Sequence, residues 1–116
     1  MIVNVSSGTD LFIIPLLKVY AASQYALEGV AESASFELSS QNIKVKLLEP
    51  GMVEANFDDN TRENYVPDPG LTAYNDYLEK MIRLLSSEDP GETKVTAQEA
   101  AAVIYNAVTD GSERLR

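Results

Sequence analysis

The sequence predicts an α/β fold: one strand–helix–strand unit around a parallel sheet, followed by helices. Three observations carry this. MIVNVS (Met1–Ser6) is a β-branched, almost wholly apolar run closed by SSGTD; a long stretch rich in small residues follows; and NIKVKLLEPG alternates Ile43, Val45 and Leu47 before stopping at Pro50-Gly51. An apolar run of that length reads as a strand buried on both faces, and alternation ahead of a breaker reads as a second strand. Two strands separated by a helix are joined by a crossover and pair in parallel.

After the first turn comes a short apolar loop, LFIIPLL (Leu11–Leu17), which can be read as lining a substrate pocket or as packed on the core. The helix then runs from about Val19 to about Ser40. Its small residues (Ala22, Ala26, Gly29, Ala31, Ala34) suit close approach to a sheet or another helix. Gly29 costs about 1 kcal/mol relative to alanine, and close packing is the expected reason for it. FDDNTRENYVPDPG (Phe57–Gly70) reads as an acidic, proline-containing loop. LTAYNDYLEKMIRLLSS carries Tyr74, Leu78, Met81, Ile82 and Leu85 at helical spacing, with Tyr74 and Tyr77 on an ordinary helix face, and Asp89–Gly91 breaks it. Thr96 with Glu99 forms a capping box ahead of AAAVIYNAV, and Gly111 suits the C′ position. The expected divisions are residues 1–57, 58–95 and 96–110 of a single domain. Two strands rarely make a stable sheet alone, and Met1 opens directly on the first, so the chain reads as part of a larger domain, incomplete at both ends.

The chain has 116 residues, enough for one domain, and nine Lys and Arg against eighteen Asp and Glu leave a net charge of −9. Such a chain is repelled by phosphate backbones and anionic lipid, so nucleic acid and membrane are not expected partners. Cysteine and histidine are both absent, which excludes disulfides, thiolate metal sites and the Ser-His-Asp and Cys-His mechanisms. No metal site is expected: Asp58, Asp59 and Glu63 fit no ligand pattern and read as a solvated loop. No basic segment followed by an apolar run opens the chain, and LFIIPLL is too short to span a bilayer, so a cytoplasmic protein is expected. Acid–base chemistry near neutral pH falls to carboxylates, lysine or tyrosine.

Three stretches then gain meaning together: VNVSS (Val3–Ser7), YAASQ (Tyr20–Gln24) and EPGMVEANF (Glu49–Phe57). Singly, a Ser-Ser after a strand is a turn or cap, and a tyrosine at a helix start is packing. In order, spacing and flanking residues the set resembles the short-chain dehydrogenase/reductase family, whose pattern is N-[VI]-S-S, then Y-x-A-S-K, then P-G-x-V-x-T. Ser7 and Tyr20 stand thirteen positions apart, the family's usual separation. The resemblance covers residues 1–57.

The resemblance implies a partial Rossmann-like, doubly wound parallel sheet and NAD- or NADP-dependent hydride transfer on a small carbonyl or alcohol substrate. Residues 58–95 correspond to a variable substrate lid. It implies Tyr20 as general acid for the alkoxide and Ser7 as the hydrogen-bond donor fixing the carbonyl oxygen. Pro50, Gly51 and Val53 correspond to the floor under the nicotinamide. Gln24 stands where the family has a lysine, which bonds the nicotinamide ribose and lowers the tyrosine's pKa by its charge. Gln24 can still donate a hydrogen bond, but it supplies no charge, so alcohol oxidation should suffer more than carbonyl reduction. Ala55 replaces the threonine that bonds the carboxamide, with Asn56 beside it. No T-G-x-x-x-G-x-G turn is present, so the isolated chain is expected to lack a dinucleotide site and activity. Family members pair through the tyrosine-bearing helix, which implies a homo-oligomer through residues 19–40. The alternative is a non-catalytic interaction module that keeps this helix face after the chemistry has decayed.

Overall fold

The computed structural model describes residues 1–8, 13–63, 66, 68–85 and 94–116. The chain is α/β, with the elements β1 (Ile2–Val5), α1 (Lys18–Ser39), β2 (Val45–Leu48), β3 (Val53–Glu54), α2 (Phe57–Glu63), α3 (Asn75–Leu85), β4 (Val95–Thr96) and α4 (Ala97–Thr109). β1 and β2 pair in parallel, from Ile2 opposite Val45 to Val5 opposite Leu48. This is the expected strand–helix–strand unit, with α1 as its crossover. The ladder continues past the strands, through Ser6 N–H to Leu48 O (2.7 Å) and Gly8 N–H to Pro50 O (2.9 Å). The architecture matches part of a Rossmann-like sheet.

β2 is the central strand. Its other edge is taken by the segment after α4, where Leu47 N–H donates to Leu115 O at 2.6 Å. Alternation along β2 then sorts its side chains. Val45 and Leu47 form the core with Ala31 of α1, and Ala34, Leu38 and Leu115 pack around them. Lys46 is equally buried, and its ammonium is neutralised by Asp110 Oδ1 at 2.6 Å and bonded to Ser112 Oγ at 3.0 Å.

α1 lacks a side-chain cap at Leu17 and has no acidic residue in its first turn, so packing against β2 is what holds it. It ends at the Gln41-Asn42 turn, with Asn42 in the left-handed region at φ 55°. α4 starts at the expected capping box: Thr96 Oγ1 accepts from Glu99 N–H (3.2 Å), and the Glu99 carboxylate accepts from Thr96 N–H (2.9 Å). The Thr96 hydroxyl, which also donates to Glu99 Oε2 at 2.7 Å, and after it the Thr96 N–H hold the Glu99 carboxyl below its ordinary pKa. Gly111 follows at φ 70°, as the C′ position requires.

Four expectations are corrected. β1 is not buried on both faces: Ile2 and Val5 are 43% and 49% exposed, because among the described elements β1 packs mainly on its neighbour β2 and little on any helix. A second parallel pair, β3 with β4, was not foreseen; each strand has two residues, too few for a periodicity. Part of the expected acidic loop is the helix α2, where Thr61 Oγ1 bonds back to Phe57 O. Gly29 is not placed by close packing within the chain, since an added Cβ would meet nothing within 4 Å. α1 turns Ala31 and Ala34 toward the sheet and leaves Ala22, Ala26 and Gly29 facing outward. The expected break at Asp89–Gly91 and Leu11 and Phe12 of the apolar loop lie outside the described residues. Among those described, no helix is long and apolar enough to cross a membrane.

Candidate functional site

The carboxyl ends of β1 and β2 lie side by side because the strands are parallel and in register. Ser7 is half-buried immediately beyond β1. Its neighbour Gly8 packs so closely on the next turn that an added Cβ would touch Pro50 O (3.5 Å) and Gly51 Cα (3.6 Å). The first and third motifs are therefore in direct contact. Helix α1 runs back antiparallel to the strands, so its first turns stand at this same end. Tyr20, in the first turn, is half-buried and tilts its ring against Phe57, with centroids 5.6 Å apart and planes at 55°. That contact joins the second motif to the end of the third. Just ahead of α1, Leu16 holds φ 73°, a strained conformation for a leucine where the apolar loop turns into the helix.

Gln24 lies one turn after Tyr20 on the same side of α1, half-buried, with Nε2 3.4 Å from Ser23 Oγ. Ser23 itself donates to Tyr20 O at 2.6 Å, tying its hydroxyl to the helix backbone. Pro50, Gly51 and Val53 line an apolar cleft of about 180 Å³, closed on its far side by Val95, Val103 and Ile104. It is smaller than the roughly 300–1,000 Å³ of pockets that enclose small ligands, so it offers a wall rather than an enclosure. At Gly51 an added Cβ would meet no atom within 4 Å, leaving bare backbone beside open space. Ala55 and Asn56 connect β3 to α2 and are exposed.

Two groups at this end escaped sequence reading. Phe57 closes the third motif, yet nothing in its sequence context signals that it packs on Tyr20. Glu28, two turns past Tyr20, is buried and accepts from Ser6 Oγ at 3.0 Å. Its other oxygen meets Arg116 at 3.5 Å, and Arg116 Nε donates to Glu49 Oε1 at 2.7 Å. The bond to Glu49 strengthens the hold of the Arg116 guanidinium on its proton. The spacing of Tyr20, Gln24 and Glu28 by fours was the only available clue to the position of Glu28.

Residues 1–66 match the family model described as short chain dehydrogenase. The chain is 33% identical over 120 residues to an uncharacterized oxidoreductase of Schizosaccharomyces pombe, covering 100% of the chain and 47% of that protein. It is 34% identical over 109 residues to the uncharacterized oxidoreductase YusZ of Bacillus subtilis, covering 93% of the chain and 38% of that protein. Over 85 residues it is 35% identical to a 3-ketodihydrosphingosine reductase of Bacteroides thetaiotaomicron, covering 72% of the chain and 30% of that protein. The chain thus spans about half the length, or less, of these curated relatives. No solved structure gives a significant match.

Proposed function

The chain belongs to the short-chain dehydrogenase/reductase family, and from that membership we propose that it carries the catalytic side of an NAD- or NADP-dependent oxidoreductase interconverting a carbonyl and an alcohol. The cofactor, when bound, supplies or accepts the hydride. Ser7 donates a hydrogen bond from Oγ to the carbonyl oxygen and fixes its position. Tyr20 gives its phenolic proton to that oxygen as negative charge grows there, and accepts a proton in the reverse direction. Gln24 offers Nε2 to a ribose hydroxyl. Pro50, Gly51 and Val53 provide an apolar wall for the nicotinamide, with Ala55 and Asn56 toward its carboxamide.

The residues fit the nicotinamide end of the cofactor. Gly51 presents flat backbone beside open space, and the 180 Å³ cleft next to it is apolar on both sides. They do not provide for its pyrophosphate, because no glycine-rich phosphate loop occurs among the 116 residues. That part is assigned to residues outside this chain.

The observation that carries the reading is the Gly8 N–H to Pro50 O bond, which seats the serine motif against the Pro-Gly turn at the carboxyl end of two parallel strands. The packing of Tyr20 on Phe57 brings the tyrosine motif to the same end. Similarity to a ketone reductase supports a keto or hydroxyl substrate. The substrate is a small molecule, and the protein works as a homo-oligomer through α1, whose Val19, Val30 and Phe36 are well exposed.

Expressed from its complete coding sequence, the protein is expected to reduce a ketone with NADH or NADPH. Tyr20→Phe should lower kcat by about 10²–10⁴-fold while cofactor affinity is kept. The second reading, an interaction module, is favoured by Gln24, Ala55 and the exposed apolar stripe of α1. It predicts a folded oligomer that binds neither cofactor. Micromolar binding of either one would exclude it, and its absence would overturn the oxidoreductase.

A further inference from the structure

The three segments that carry the proposed site are joined behind it by one polar cluster. Glu28, on α1, is buried and sits two turns, about 12 Å of helix, beyond Tyr20. It receives the Ser6 hydroxyl at 3.0 Å and the Arg116 Nη2 at 3.5 Å. Arg116 in turn donates from Nε to Glu49 at 2.7 Å, and its Nη2 lies 3.7 Å from Glu32. Ser6 is one peptide from Ser7, and Glu49 one peptide from Pro50. Each end of the cluster therefore stops one residue short of the site.

We infer that Glu28 and Arg116 are positioning residues for the reaction, holding Ser7 and the Pro50-Gly51 turn in register with Tyr20 by acting through Ser6 and Glu49. The inference rests on the oxidoreductase reading. A buried carboxylate is tolerated only while its charge is met, so sliding α1 against the strand tips would strip Glu28 of its partners. The planar guanidinium reaches Glu28 and Glu49 from two different nitrogens, which fixes the distance between α1 and the end of β2. Other ion pairs of the same C-terminal segment, Lys44 with Glu113 (3.2 Å) and Lys46 with Asp110, lie farther back along the chain from the Pro-Gly turn. They dock the segment without reaching residues next to the site.

The test uses the protein expressed from its complete coding sequence, with steady-state kinetics and thermal unfolding on the same samples. Glu28→Gln and Arg116→Met should each lower kcat about ten- to hundredfold, the scale of a misplacement near 1 Å. KM for the cofactor should stay within about threefold, and the double variant should be no worse than the poorer single one, as expected of one coupled unit. Arg116→Lys, which keeps the charge but not the fork, should recover part of the loss. Glu113→Gln should leave kcat unchanged. Unchanged kcat in Glu28→Gln and Arg116→Met, an equal loss in Glu113→Gln, or losses that vanish on cooling well below Tm would overturn the positioning role alone. Failure of the native protein to reduce any ketone with either cofactor would instead overturn the oxidoreductase reading and this inference with it.

Discussion

At position 24 an amide replaces what the family pattern makes an ammonium. A unit charge about 4 Å from a phenol, at an effective dielectric near 20, is worth about 4 kcal/mol. At ~1.4 kcal/mol per unit this corresponds to as much as about three pH units. Gln24→Lys is accordingly expected to raise alcohol oxidation at neutral pH and shift the rising limb of its pH–rate profile downward by roughly one to three units, with carbonyl reduction changing less. Identical profiles for the two proteins would contradict the electrostatic role. A second residue-scale effect concerns Asp110. The Lys46 ammonium, with help from Ser112, holds its carboxyl down to about 2 from an ordinary 3.8. A lowered pKa means that the folded state binds fewer protons than the unfolded state between those values. The stabilisation is complete above about pH 4 and fades as the pH falls toward 2. Urea midpoints should decline across that window, and Asp110→Asn should flatten the decline while lowering the midpoint at pH 7. At this scale the sequence exposed the motif residues, because their chemistry is local to short words. It hid the Glu28–Arg116 contact, which joins positions 88 apart and follows only from the fold.

Among the elements, α1 and α4 form for different reasons. α1 has 22 residues, no side-chain N-cap and no basic residue in its last turn, so its stability comes from the face it lays on the sheet. α4 buries no residue fully and depends more on its capping box. Thr96→Ala should therefore cost about 1 kcal/mol and lower Tm by roughly 4–6 °C, read by calorimetry; no change would show that the cap is idle. Elements with long, regular patterns were legible in advance. α1 was expected from about Val19 to about Ser40 and spans Lys18–Ser39, and the Thr96–Glu99 box sits where its four-residue signature placed it. The short ones were not. α2 is seven residues of largely polar sequence, and the β3–β4 pair joins segments more than forty positions apart, with Val95 N–H donating to Met52 O at its edge.

As a whole molecule the chain is unusually open. It exposes 9043 Å², against about 6,200 Å² for a compact protein of its mass. Its radius of gyration is 17.5 Å, where about 13 Å is typical for this length. Among the described residues the buried apolar core is Ala21, Ala31, Val45 and Leu47, while Val30 and Phe36 on α1 are 65% and 74% exposed. Further protein surface, from this protein or a second copy, is the natural cover for that area. Among the described residues Leu47 is the largest side chain buried so fully, so Leu47→Ala should cost about 2–5 kcal/mol. Against a total of about 5–15 kcal/mol, that is a large share of the stability and should clearly lower the urea midpoint followed by circular dichroism; an unchanged midpoint would show that the core lies elsewhere.

Deuterium transfer tests the central claim, that Ser7 and Tyr20 serve a hydride reaction at the strand tips. The protein from the complete coding sequence would be supplied with reduced nicotinamide cofactor deuterated at C4 and a panel of ketones, and the alcohol analysed by mass spectrometry. Deuterium should appear on the carbinol carbon with the native protein, and its transfer should be at least about a hundredfold slower with Tyr20→Phe. Cofactor binding without transfer to any ketone, or equal transfer by Tyr20→Phe, would contradict that claim.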